Sequence, residues 1–412
     1  MIFVLKNMKV LLINKFLYPK GGDAISTLTT GELLSKKGHS VVFWGMKHPA
    51  NPEYPYAEYF VDYIDYEGAL SVKKKISYAI TILYSFEARE MIRKLLKKDR
   101  PDIVHLNNFA HQISPSILNV FSKYNLPVVM TMRDYKLVCP SYSMLLDGKP
   151  CEMCKNGKYY WCFFNKCTKN SFSKSLLNTL EMYLHHRIMH IYKKIDVFIS
   201  PSIFLMNKIR EMNFTGKVIY LPNFVNLELF SPCYDSEDNS IVYTGRLSPE
   251  KGIMTLMRAV KGLNVKLKII GEGPLREELE GKKLDNVYFF GYMDQKELKE
   301  ELKKSILLVI PSKWYENNPR VVMEAFATGK PVIGARIGGI PELVKDGVTG
   351  YTFKPGNAWD LRSKILMLTR DPDKIVQMGK NARKFVEENF NQEKHYQGLM
   401  EIYQMALGKH KK

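Results

Sequence analysis

SIVYTGRLSPEKGIMTLMRAVKGLNVKLKIIGEGP, residues 240–274, carries the pattern that decides the fold class. A short run rich in β-branched residues, SIVYTG, precedes a helical pattern from Ile253 to about Val260. A second apolar run, KLKIIG, follows after turn residues. A strand, a helix and a strand in this order predict a βαβ unit, in which the two strands pair in parallel.

The same alternation extends in both directions from this unit. After it come the apolar runs VYFFG (287–291), SILLVI (305–310) and PVIGA (331–335). Before it come MKVLLIN (8–14), DIVHL (102–106), PVVMTM (127–132) and DVFIS (196–200). The predicted fold class is therefore α/β, with two Rossmann-like, doubly wound parallel-sheet domains that face a central ligand cleft.

The domain boundaries are predicted from a change in composition. LPNFVNLELFSPCYDSEDNS (221–240) is rich in Pro, Asn, Ser and Asp and has no strong period, which is typical of a linker. We therefore predict an N-terminal domain over 1–220 and a C-terminal domain over 241–380. The remaining residues, 381–412, are expected to form a helix that crosses back to the N-terminal domain.

The composition of the 412 residues is typical of a soluble globular protein, with 45% hydrophobic and 25% charged residues. It excludes a disordered chain, a collagen-like fibre and a small disulfide scaffold. No run of about 18 uncharged apolar residues occurs, so we expect no transmembrane helix. The N terminus lacks a signal-peptide pattern. The expected location is cytoplasmic, either free or as a peripheral protein on the inner membrane face.

The net charge is +19, from 61 Lys and Arg against 42 Asp and Glu. A basic protein favours an anionic partner, which could be nucleic acid, an anionic membrane surface or a phosphorylated small molecule. The chain has no zinc-finger, RNP-type or basic-zipper pattern, so nucleic acid is not expected.

The densest set of motifs lies in ENNPRVVMEAFATGKPVIGARIGGIPELVKDGVTGYTF (316–353). Its elements are Glu316 and Glu324 with seven residues between them, A-x-G-x-P-V (327–332), GG-x-P-E (338–342) and D-G-x-T-G (346–350). In this order they resemble the family 4 glycosyltransferases, whose GT-B architecture consists of two Rossmann-like domains. The resemblance covers most of the chain and is strongest over 240–355. It implies an acceptor-side N-terminal domain and a nucleotide-sugar-binding C-terminal domain.

The residue chemistry of this segment suits a nucleotide-sugar donor. Asn318, Pro319 and Arg320 are predicted in the first turn of a helix, whose free backbone N–H groups attract phosphate. A carboxylate accepts two hydroxyl hydrogen bonds, so Glu324 suits a ribose diol and Glu316 suits hydroxyls of the transferred sugar. The resemblance assigns the same two roles and makes Glu316 a candidate catalytic residue. The alternative is a surface loop with ordinary exposed glutamates.

Two more loops of the C-terminal domain match donor-binding loops of the family. YTGRLSPEKG (243–252) places Arg246 and Lys251 five residues apart, where the family grips the donor diphosphate with an Arg and a Lys. GEGP (271–274) resembles the loop under the donor base, with Gly271 and Gly273 allowing close approach. The alternatives are a solvated turn and an incidental G-x-G.

In the N-terminal domain, Gly21 and Gly22 lie between the first strand and its helix. The family has a glycine-rich loop there that faces the diphosphate and the acceptor, whereas a tight turn is the alternative. His105 ends another strand, and we expect it to be a packed, hydrogen-bonded residue instead of a catalyst.

Residues 133–135 depart from the family pattern. Relatives have His-Asp-Tyr here, with the His beside the donor sugar, whereas this chain has Arg133, Asp134 and Tyr135. The match at Asp134 makes it a candidate catalytic residue, but Arg133 stays protonated and cannot act as a base. This departure leaves open an altered or inactive enzyme. One hypothesis is that Arg133 recognises an anionic group, either a uronic-acid donor or the phosphate of a lipid-linked acceptor. The other is that it is salt-bridged to Asp134 or a neighbouring carboxylate.

Cys151, Cys154, Cys162 and Cys167 lie in a Cys-rich insertion over 139–170. Their spacing makes them a candidate four-thiolate structural zinc site. Free thiols in a reducing cytosol, or a disulfide in another compartment, are the alternatives.

SVKKKISYAITILYSFEAREMIRKLLKK (71–98) is predicted to be helical, with basic ends and an apolar middle. A core helix is the plain explanation for the middle. The groups Lys73–Lys75 and Arg93–Lys98 could face anionic lipid, which would suit a lipid-linked acceptor.

These patterns predict a retaining glycosyltransferase that moves a sugar from a nucleoside-diphosphate sugar to an acceptor hydroxyl, in polysaccharide or glycolipid assembly. The expected partners are that donor and a glycan or lipid-linked acceptor. By resemblance, no metal or other cofactor is required at the donor site, because Arg246, Lys251 and helix N–H groups supply the charge. The alternatives are a GT-B sugar-nucleotide epimerase or phosphorylase, and a catalytically silent nucleotide-binding scaffold of a glycan-assembly complex.

Overall fold

The computed structural model describes residues 7–66, 71–236 and 238–410. The predicted domain and linker ranges also include residues 1–6, 67–70, 237 and 411–412, which lie outside the described residues. The strands are β1 (Lys9–Ile13), β2 (Ser40–Trp44), β3 (Ile103–Leu106), β4 (Val128–Thr131), β5 (Leu145–Leu146), β6 (Lys149–Pro150), β7 (Val197–Ser200), β8 (Val218–Tyr220), β9 (Ser240–Thr244), β10 (Lys266–Ile270), β11 (Val287–Gly291), β12 (Leu307–Ile310), β13 (Val332–Ala335) and β14 (Gly350–Phe353). The α-helices are α1 (Gly22–Lys36), α2 (Val72–Leu83), α3 (Phe86–Lys98), α4 (Leu118–Lys123), α5 (Tyr160–Phe164), α6 (Phe172–Tyr183), α7 (Ile203–Glu211), α8 (Ile253–Val260), α9 (Arg276–Glu280), α10 (Gln295–Lys304), α11 (Arg320–Ala327), α12 (Ile340–Leu343), α13 (Ala358–Thr369), α14 (Pro372–Asn389) and α15 (Gln392–Gly408).

The first sheet has the strand order β2-β1-β3-β4-β7-β8 in the described part of the chain, and all its pairs are parallel. Its central strands β3, β4 and β7 are buried at every position, as expected for a parallel sheet covered by helices on both faces. After β1 the chain adds β2 on one side and then returns to add β3 on the other. Doubly wound sheets bind ligands at such a switch point, beyond the C-terminal ends of the strands.

The second sheet has the order β11-β10-β9-β12-β13-β14 within the described residues, again with parallel pairs. Its switch point lies between β9 and β12. The loops that follow these two strands contain residues 245–252 and 311–319, so the topology brings two motif-bearing loops to one edge of the sheet. The two sheets confirm the predicted α/β class and the doubly wound parallel arrangement.

A glycine at the start of α8 fixes the contact between these loops. Gly252 has φ +72°, and a Cβ there would lie 1.9 Å from the carbonyl oxygen of Pro311. A larger residue would strain the backbone and collide with the end of β12. Gly252 therefore holds the preceding residue, Lys251, next to the loop after β12.

The two C-terminal helices belong to different domains. α14 packs against α11 in the second domain, whereas α15 packs against β4 and β7 of the first sheet. The crossing occurs at Phe390 and Asn391, because the Asn391 side chain accepts from Lys394 N over 2.9 Å and so begins α15. The boundary predicted between 380 and 381 falls inside α14 and is ten residues too early.

Two other sequence expectations change in detail. The stretch 71–98 forms two helices, α2 and α3, because Ser85 Oγ accepts from Ala88 N over 3.1 Å and begins a new helix. The stretch 221–239 contains no helix or strand among its described residues, and Ser240, which was predicted to be linker, already belongs to β9.

The domains contact each other directly at several points. The Tyr135 hydroxyl donates to the carbonyl oxygen of Tyr315 over 3.1 Å. Glu342 accepts from the backbone N–H groups of Ile203 and Phe204, at the start of α7. These bonds join the loop after β4 to the loop after β12, and the start of α7 to α12. Over the ranges that the structure describes, no helix is long and apolar enough to cross a membrane.

Candidate functional site

The switch points of the two sheets face each other across the domain boundary. A Cβ at Gly22, which begins α1, would lie 3.9 Å from Cδ of Arg320, which begins α11. Asn223 Nδ2 donates to the carbonyl oxygen of Asn318 over 3.4 Å. A cavity between the domains is lined by Arg133, Asn223 and Arg320, among other residues. This is the cleft where the sequence-predicted residues are expected to meet.

Lys251 and Glu316 form an ion pair at the second switch point. Lys251 Nζ donates to Glu316 Oε1 over 2.8 Å, and Ser312 Oγ donates to the same oxygen over 2.6 Å. Burial favours the neutral acid, but the charge of Lys251 and these hydrogen bonds outweigh it and lower the pKa of Glu316. Lys251 Nζ also lies 4.9 Å from the ring centroid of Trp314. Glu316 is therefore an ionised, fixed acceptor of hydrogen bonds.

The two glycines of the GG-x-P-E motif support the loop that carries Glu316. A Cβ at Gly338 would lie 2.3 Å from the carbonyl oxygen of Glu316, and one at Gly339 would lie 1.8 Å from that of Asn317. Gly339 N also donates to the Glu316 carbonyl oxygen over 2.7 Å. Only glycine permits this close approach of two backbones. The motif acts on the site by positioning the Glu316 backbone.

The helix that carries Glu324 begins later than the sequence indicates. Pro319 is the N-cap residue of α11 and Arg320 is its first residue, so Asn318 precedes the helix instead of lying in its first turn. Arg320 Nη2 lies 3.3 Å from Glu324 Oε1. Asn318 Oδ1 and Arg320 Nε are buried without a hydrogen-bond partner among the described residues. Such orphan groups are rare in folded proteins, and here they lie at the start of α11.

The remaining donor-loop residues occupy two adjacent loops. Arg246 is exposed, and its guanidinium makes no ion pair with any described residue. A Cβ at Gly271 would lie 2.1 Å from the carbonyl oxygen of Gly245, and one at Gly273 would lie 2.5 Å from that of Leu247. These two glycines are therefore required for packing between the loops after β9 and β10. This is a structural reason that the sequence motif alone did not give.

Gly21 and Gly22 lie at the start of α1, as the sequence indicates. Gly21 has extended backbone, and a Cβ there would meet only Asp23 Oδ1, at 3.5 Å. Neither glycine is required by strain or by close packing. They instead leave the N-terminal end of a 15-residue helix open toward Arg320. The N-terminal end of a helix carries partial positive charge and favours an anion.

Arg133 is held by two asparagines. Nη2 and Nε donate to Asn107 Oδ1 over 2.7 and 3.2 Å, and Nη1 donates to Asn223 Oδ1 over 2.8 Å. No carboxylate among the described residues forms an ion pair with it, so the expectation of a salt bridge to Asp134 or a neighbour is wrong. Burial lowers the pKa of Arg133 to about 10, and the guanidinium stays charged at neutral pH. Arg133 is thus a largely buried cation that makes no ion pair with a described carboxylate, although the charge of Asp23 raises its pKa against the effect of burial.

Asp134 belongs to a hydrogen-bond network that begins in the loop after β4. Its Oδ1 accepts from Lys136 N over 2.9 Å. Burial raises the pKa of Asp134, against the opposing effect of the Lys136 amide and the charges of Lys15 and Lys136. Lys136 Nζ in turn donates to the buried Glu181 over 2.6 Å. Asp134 is therefore positioned by bonds from its own loop and, through Lys136, from α6.

Sequence reasoning missed four residues that complete this arrangement: Asn107, Asn223, Ser312 and Lys15. Asn107, Ser312 and Lys15 each come one or two residues after a strand of a sheet, which is the position where ligand-binding side chains gather in this class of fold. That signal was available. Asn223 lies in the linker, where no such sequence signal marked it.

His105 is a packed residue, as expected. Its Nδ1 lies 2.8 Å from the Tyr403 hydroxyl of α15, and its Nε2 lies 2.7 Å from Thr131 Oγ1. Burial, with smaller effects from the charges of Arg133 and His395, lowers the pKa of His105 to about 3. The imidazole is neutral and bonds the first sheet to the C-terminal helix, which confirms the prediction.

The four cysteines of the zinc hypothesis line one cavity. They share it with Cys139 and two methionines, Met144 and Met212. All these cysteines are free thiols. Among the described residues, however, no three His, Cys, Asp or Glu side chains are arranged so that they could hold a metal ion. The thiols are gathered, but they do not form a ligand set.

A structural zinc therefore stays a prediction with a direct test. If Cys151, Cys154, Cys162 and Cys167 rearrange about one ion, protein purified without chelators should contain about one equivalent of zinc. A Cys154→Ser variant should lose it while both domains stay folded. Protein without zinc, in which a thiol reagent titrates all 6 cysteines after denaturation, would contradict the hypothesis.

Two family models match the chain, one for each domain. The model described as Glycosyltransferase Family 4 matches residues 20–229. The model described as Glycosyl transferases group 1 matches residues 230–385. The junction of the two matches falls within the predicted linker.

Two relatives resemble most of the chain. The chain is 28% identical over 353 residues to an uncharacterized 42.6 kDa protein in the cps region of Klebsiella pneumoniae. This match covers 82% of this chain and 87% of that protein. The chain is 27% identical over 362 residues to an uncharacterized glycosyltransferase of Methanocaldococcus jannaschii, which spans 82% of this chain and 92% of the relative.

Two solved structures resemble the whole fold. Sucrose-phosphate synthase from Thermosynechococcus elongatus has a TM-score of 0.74 at 21% identity, over 98% of this chain and 100% of its own. HepE from Anabaena, in complex with UDP and glucose, has a TM-score of 0.65 at 16% identity, over 96% and 99%. At these identities the likeness concerns the fold, which is the expected GT-B architecture.

Proposed function

The chain belongs to glycosyltransferase family 4, and on that basis we propose that it transfers a sugar from a nucleoside-diphosphate sugar to an acceptor hydroxyl with retention of configuration. The observation that carries the proposal is the arrangement at the second switch point. There the ion pair between Lys251 and Glu316, fixed by Ser312, lies beside the start of α11. The resemblance in sequence assigns donor binding to these same positions.

In this proposal, cations hold the diphosphate of the donor, and carboxylates accept hydrogen bonds from its hydroxyl groups. Lys251 and Arg246 lie on one loop, and Arg320 begins α11, so three cations converge on the place proposed for the diphosphate. Glu316 accepts from hydroxyls of the transferred sugar, since its ionised carboxylate has an oxygen not used by Lys251 and Ser312. Glu324, beside Arg320, accepts from the ribose diol.

Catalysis in this proposal is mainly electrostatic. Breaking the glycosidic bond places negative charge on the leaving nucleoside diphosphate, and preorganised cations stabilise that charge. In this proposal Arg246 and Lys251 supply the stabilising positive charge without a metal ion. The acceptor proton goes to a phosphate oxygen of the leaving group. Asp134 has a raised pKa and a fixed position, and we place it near the acceptor hydroxyl.

The acceptor is proposed to be a glycan or a lipid-linked sugar in polysaccharide or glycolipid assembly. Arg133 supports an anionic group on one of the two substrates, because it is a buried cation without a carboxylate partner in the described chain. A phosphate of a lipid-linked acceptor or a uronic-acid donor would supply the missing charge.

Thermal unfolding in the presence of candidate donors is the first test. A ligand that binds only the folded state at 100 times its Kd stabilises that state by about 2.7 kcal/mol. We expect one of the UDP-, GDP-, ADP- and dTDP-sugars to raise the Tm by several degrees. UDP-sugars come first, since HepE was solved with UDP. A Tm that no nucleotide sugar changes would contradict the proposal.

Product analysis separates the proposal from its alternatives. A transferase releases nucleoside diphosphate and forms a product whose anomeric configuration, read by NMR, is that of the donor. A phosphorylase would depend on inorganic phosphate, and an epimerase would return an isomeric nucleotide sugar. A silent scaffold would show the Tm shift but would neither hydrolyse nor transfer the sugar.

A further inference from the structure

Two helices of the first domain expose rows of large apolar side chains. On α2 these are Val72, Ile76 and Ile80, and on α6 they are Phe172, Leu176 and Leu180. Each of the six exposes between 43% and 71% of its surface. Within each helix they are four residues apart, so they lie on one side of it. We call these six residues the apolar face.

The two helices that carry these rows contact each other. α2 packs against α6. The carbonyl oxygen of Leu83, at the end of α2, accepts from His185 Nε2, just after the end of α6, over 2.8 Å. The C-terminal ends of the two helices therefore lie close together. An exposed apolar area of this kind usually marks an interaction site.

α6 is inverted relative to an ordinary surface helix, which buries its apolar side. Its buried side carries Ser175, Asn178, Thr179 and Glu181, with Met182. These groups bond to other groups inside the protein: Asn178 Nδ2 donates to Thr168 Oγ1 over 2.9 Å, and Glu181 Oε2 accepts from Lys136, whereas Glu181 Oε1 has no hydrogen-bond partner among the described residues. Because the polar side of α6 makes bonds in the interior, its apolar side faces outward.

The first turns of both helices carry cations. Lys73, Lys74 and Lys75 are exposed on α2, and Lys174 is exposed on α6. Lys166 lies with its Nζ 4.3 Å from the ring centroid of Phe172. Cations at the N-terminal end of a helix oppose its dipole, so they do not serve the stability of these helices. α2 contains no acidic residue, and the one in α6, Glu181, is buried.

We propose that the apolar face rests on an anionic lipid surface, with these lysines in the headgroup layer. An apolar row between cations is the pattern of helices that lie in a membrane interface. Charge selects this occupant. A second copy of the chain would bring the same cations face to face, whereas anionic headgroups neutralise them. The sequence also indicated Arg93–Lys98 as a group that could face lipid; those residues lie on α3 and are not part of the surface proposed here.

The surface is linked to the cleft. Glu181, on the buried side of α6, binds Lys136, whose backbone N–H binds Asp134. The loop that lines the acceptor side is therefore built directly on the helix that meets the lipid. This would present a lipid-linked acceptor to the cleft, a consequence that rests on the proposed glycosyl transfer. Lipid binding itself does not depend on that proposal.

Flotation of the full-length protein with vesicles tests the inference. We expect binding to vesicles of phosphatidylcholine mixed with phosphatidylglycerol, weak binding to phosphatidylcholine alone, and loss of binding in high salt. Replacing Lys73, Lys74 and Lys75 together by Gln should lower the partition coefficient roughly 100-fold. Replacing Ile76, Ile80, Leu176 and Leu180 together by Ser should lower it at least about 10-fold.

Matched controls lie on the second domain. Trp359 exposes 81% of its surface on α13, and Trp359→Ser should leave vesicle binding unchanged. Lys282→Gln with Lys283→Gln, also exposed, should change it little. All variants should keep the Tm shift that the nucleotide sugar produces, which separates a failure here from a failure of the proposed function.

Two outcomes would overturn the inference. One is equal binding of wild type and the apolar-face variant to the mixed vesicles, or no binding by either. The other is a wild-type dimer in analytical ultracentrifugation that the apolar-face variant converts to a monomer while vesicle binding does not change. That result would assign the face to a second copy.

Discussion

Lys251→Ala and Glu316→Ala are each expected to lower kcat by about 100-fold to 1000-fold. Loss of one preorganised charge contact in a site of this kind has that effect, because the contact is strongest in the transition state. Lys251 would stabilise the leaving diphosphate, and Glu316 would hold the transferred sugar. The measurement is kcat with the donor identified by thermal unfolding. Unchanged kcat in both variants would show that the donor site lies elsewhere.

The two side chains are also partners, so stability must be measured beside activity. Only 11% of the Glu316 side chain and 23% of the Lys251 side chain are exposed. Removing either leaves the other charge poorly solvated, which lowers the free energy of unfolding. The Tm should fall, yet far-UV circular dichroism should stay native at the assay temperature. Lys261→Ala and Glu278→Ala, both exposed on the same domain, should change neither kcat nor Tm appreciably.

The fold could be predicted well from the sequence because the signals for its strands and helices are local. The apolar runs that precede Gly245 and Pro311 are short, bounded by turn residues and separated by helical periods, and each forms a strand of the second sheet. Parallel strands end at one edge of a sheet, so residues that follow them were expected to meet. Lys251 and Glu316, which are 65 positions apart in sequence, do meet there.

Contacts without a local signal could not be predicted. Arg133 binds Asn107, 26 residues away, and Asn223, 90 residues away in the linker. Nothing in the sequence near Arg133 distinguishes these amides from the adjacent Asp134, and the alternative of a salt bridge to Asp134 or a neighbouring carboxylate was wrong. The split of 71–98 is a different case. Ser85 is a strong helix N-cap, and the signal was present in the sequence.

Which side of α6 faces the interior could also not be predicted from the sequence pattern. Leu176 and Leu180 have a helical spacing that normally indicates a core-facing row. The choice of inner face is decided by partners distant in sequence, above all Lys136, which is 45 residues from Glu181. A buried charge requires a partner, so the side of α6 that carries Glu181 faces the interior and the side that carries the leucines faces outward.

Arg133→Ala is expected to weaken binding of the anionic substrate by about 10-fold to 150-fold. Charge-assisted hydrogen bonds contribute about 1.5–3 kcal/mol, and each 1.4 kcal/mol is about tenfold in Kd. A neutral analogue of the same substrate should bind almost unchanged. The reason lies in the site: the Arg133 guanidinium bonds to two neutral amides and to no carboxylate among the described residues, so an incoming anion would be its direct ion-pair partner. The charge of Asp23 raises the pKa of Arg133 and the like charge of Arg320 lowers it, so neither replaces such a partner. Isothermal titration calorimetry with the two substrates is the measurement.

Asn223→Ala distinguishes charge from packing at this position. It removes one acceptor of the guanidinium, Asn223 Oδ1 at 2.8 Å, but leaves the charge and the bonds to Asn107. If Arg133 acts through its charge, this variant should lose much less affinity for the anionic substrate than Arg133→Ala, although both lower the Tm. If Arg133 only fills space between the linker and β3, the two variants should lose similar affinity, and they should do so for charged and neutral substrates alike. Equal losses would therefore refute recognition of an anion by Arg133, because a cation that selects its ligand by charge must distinguish the two.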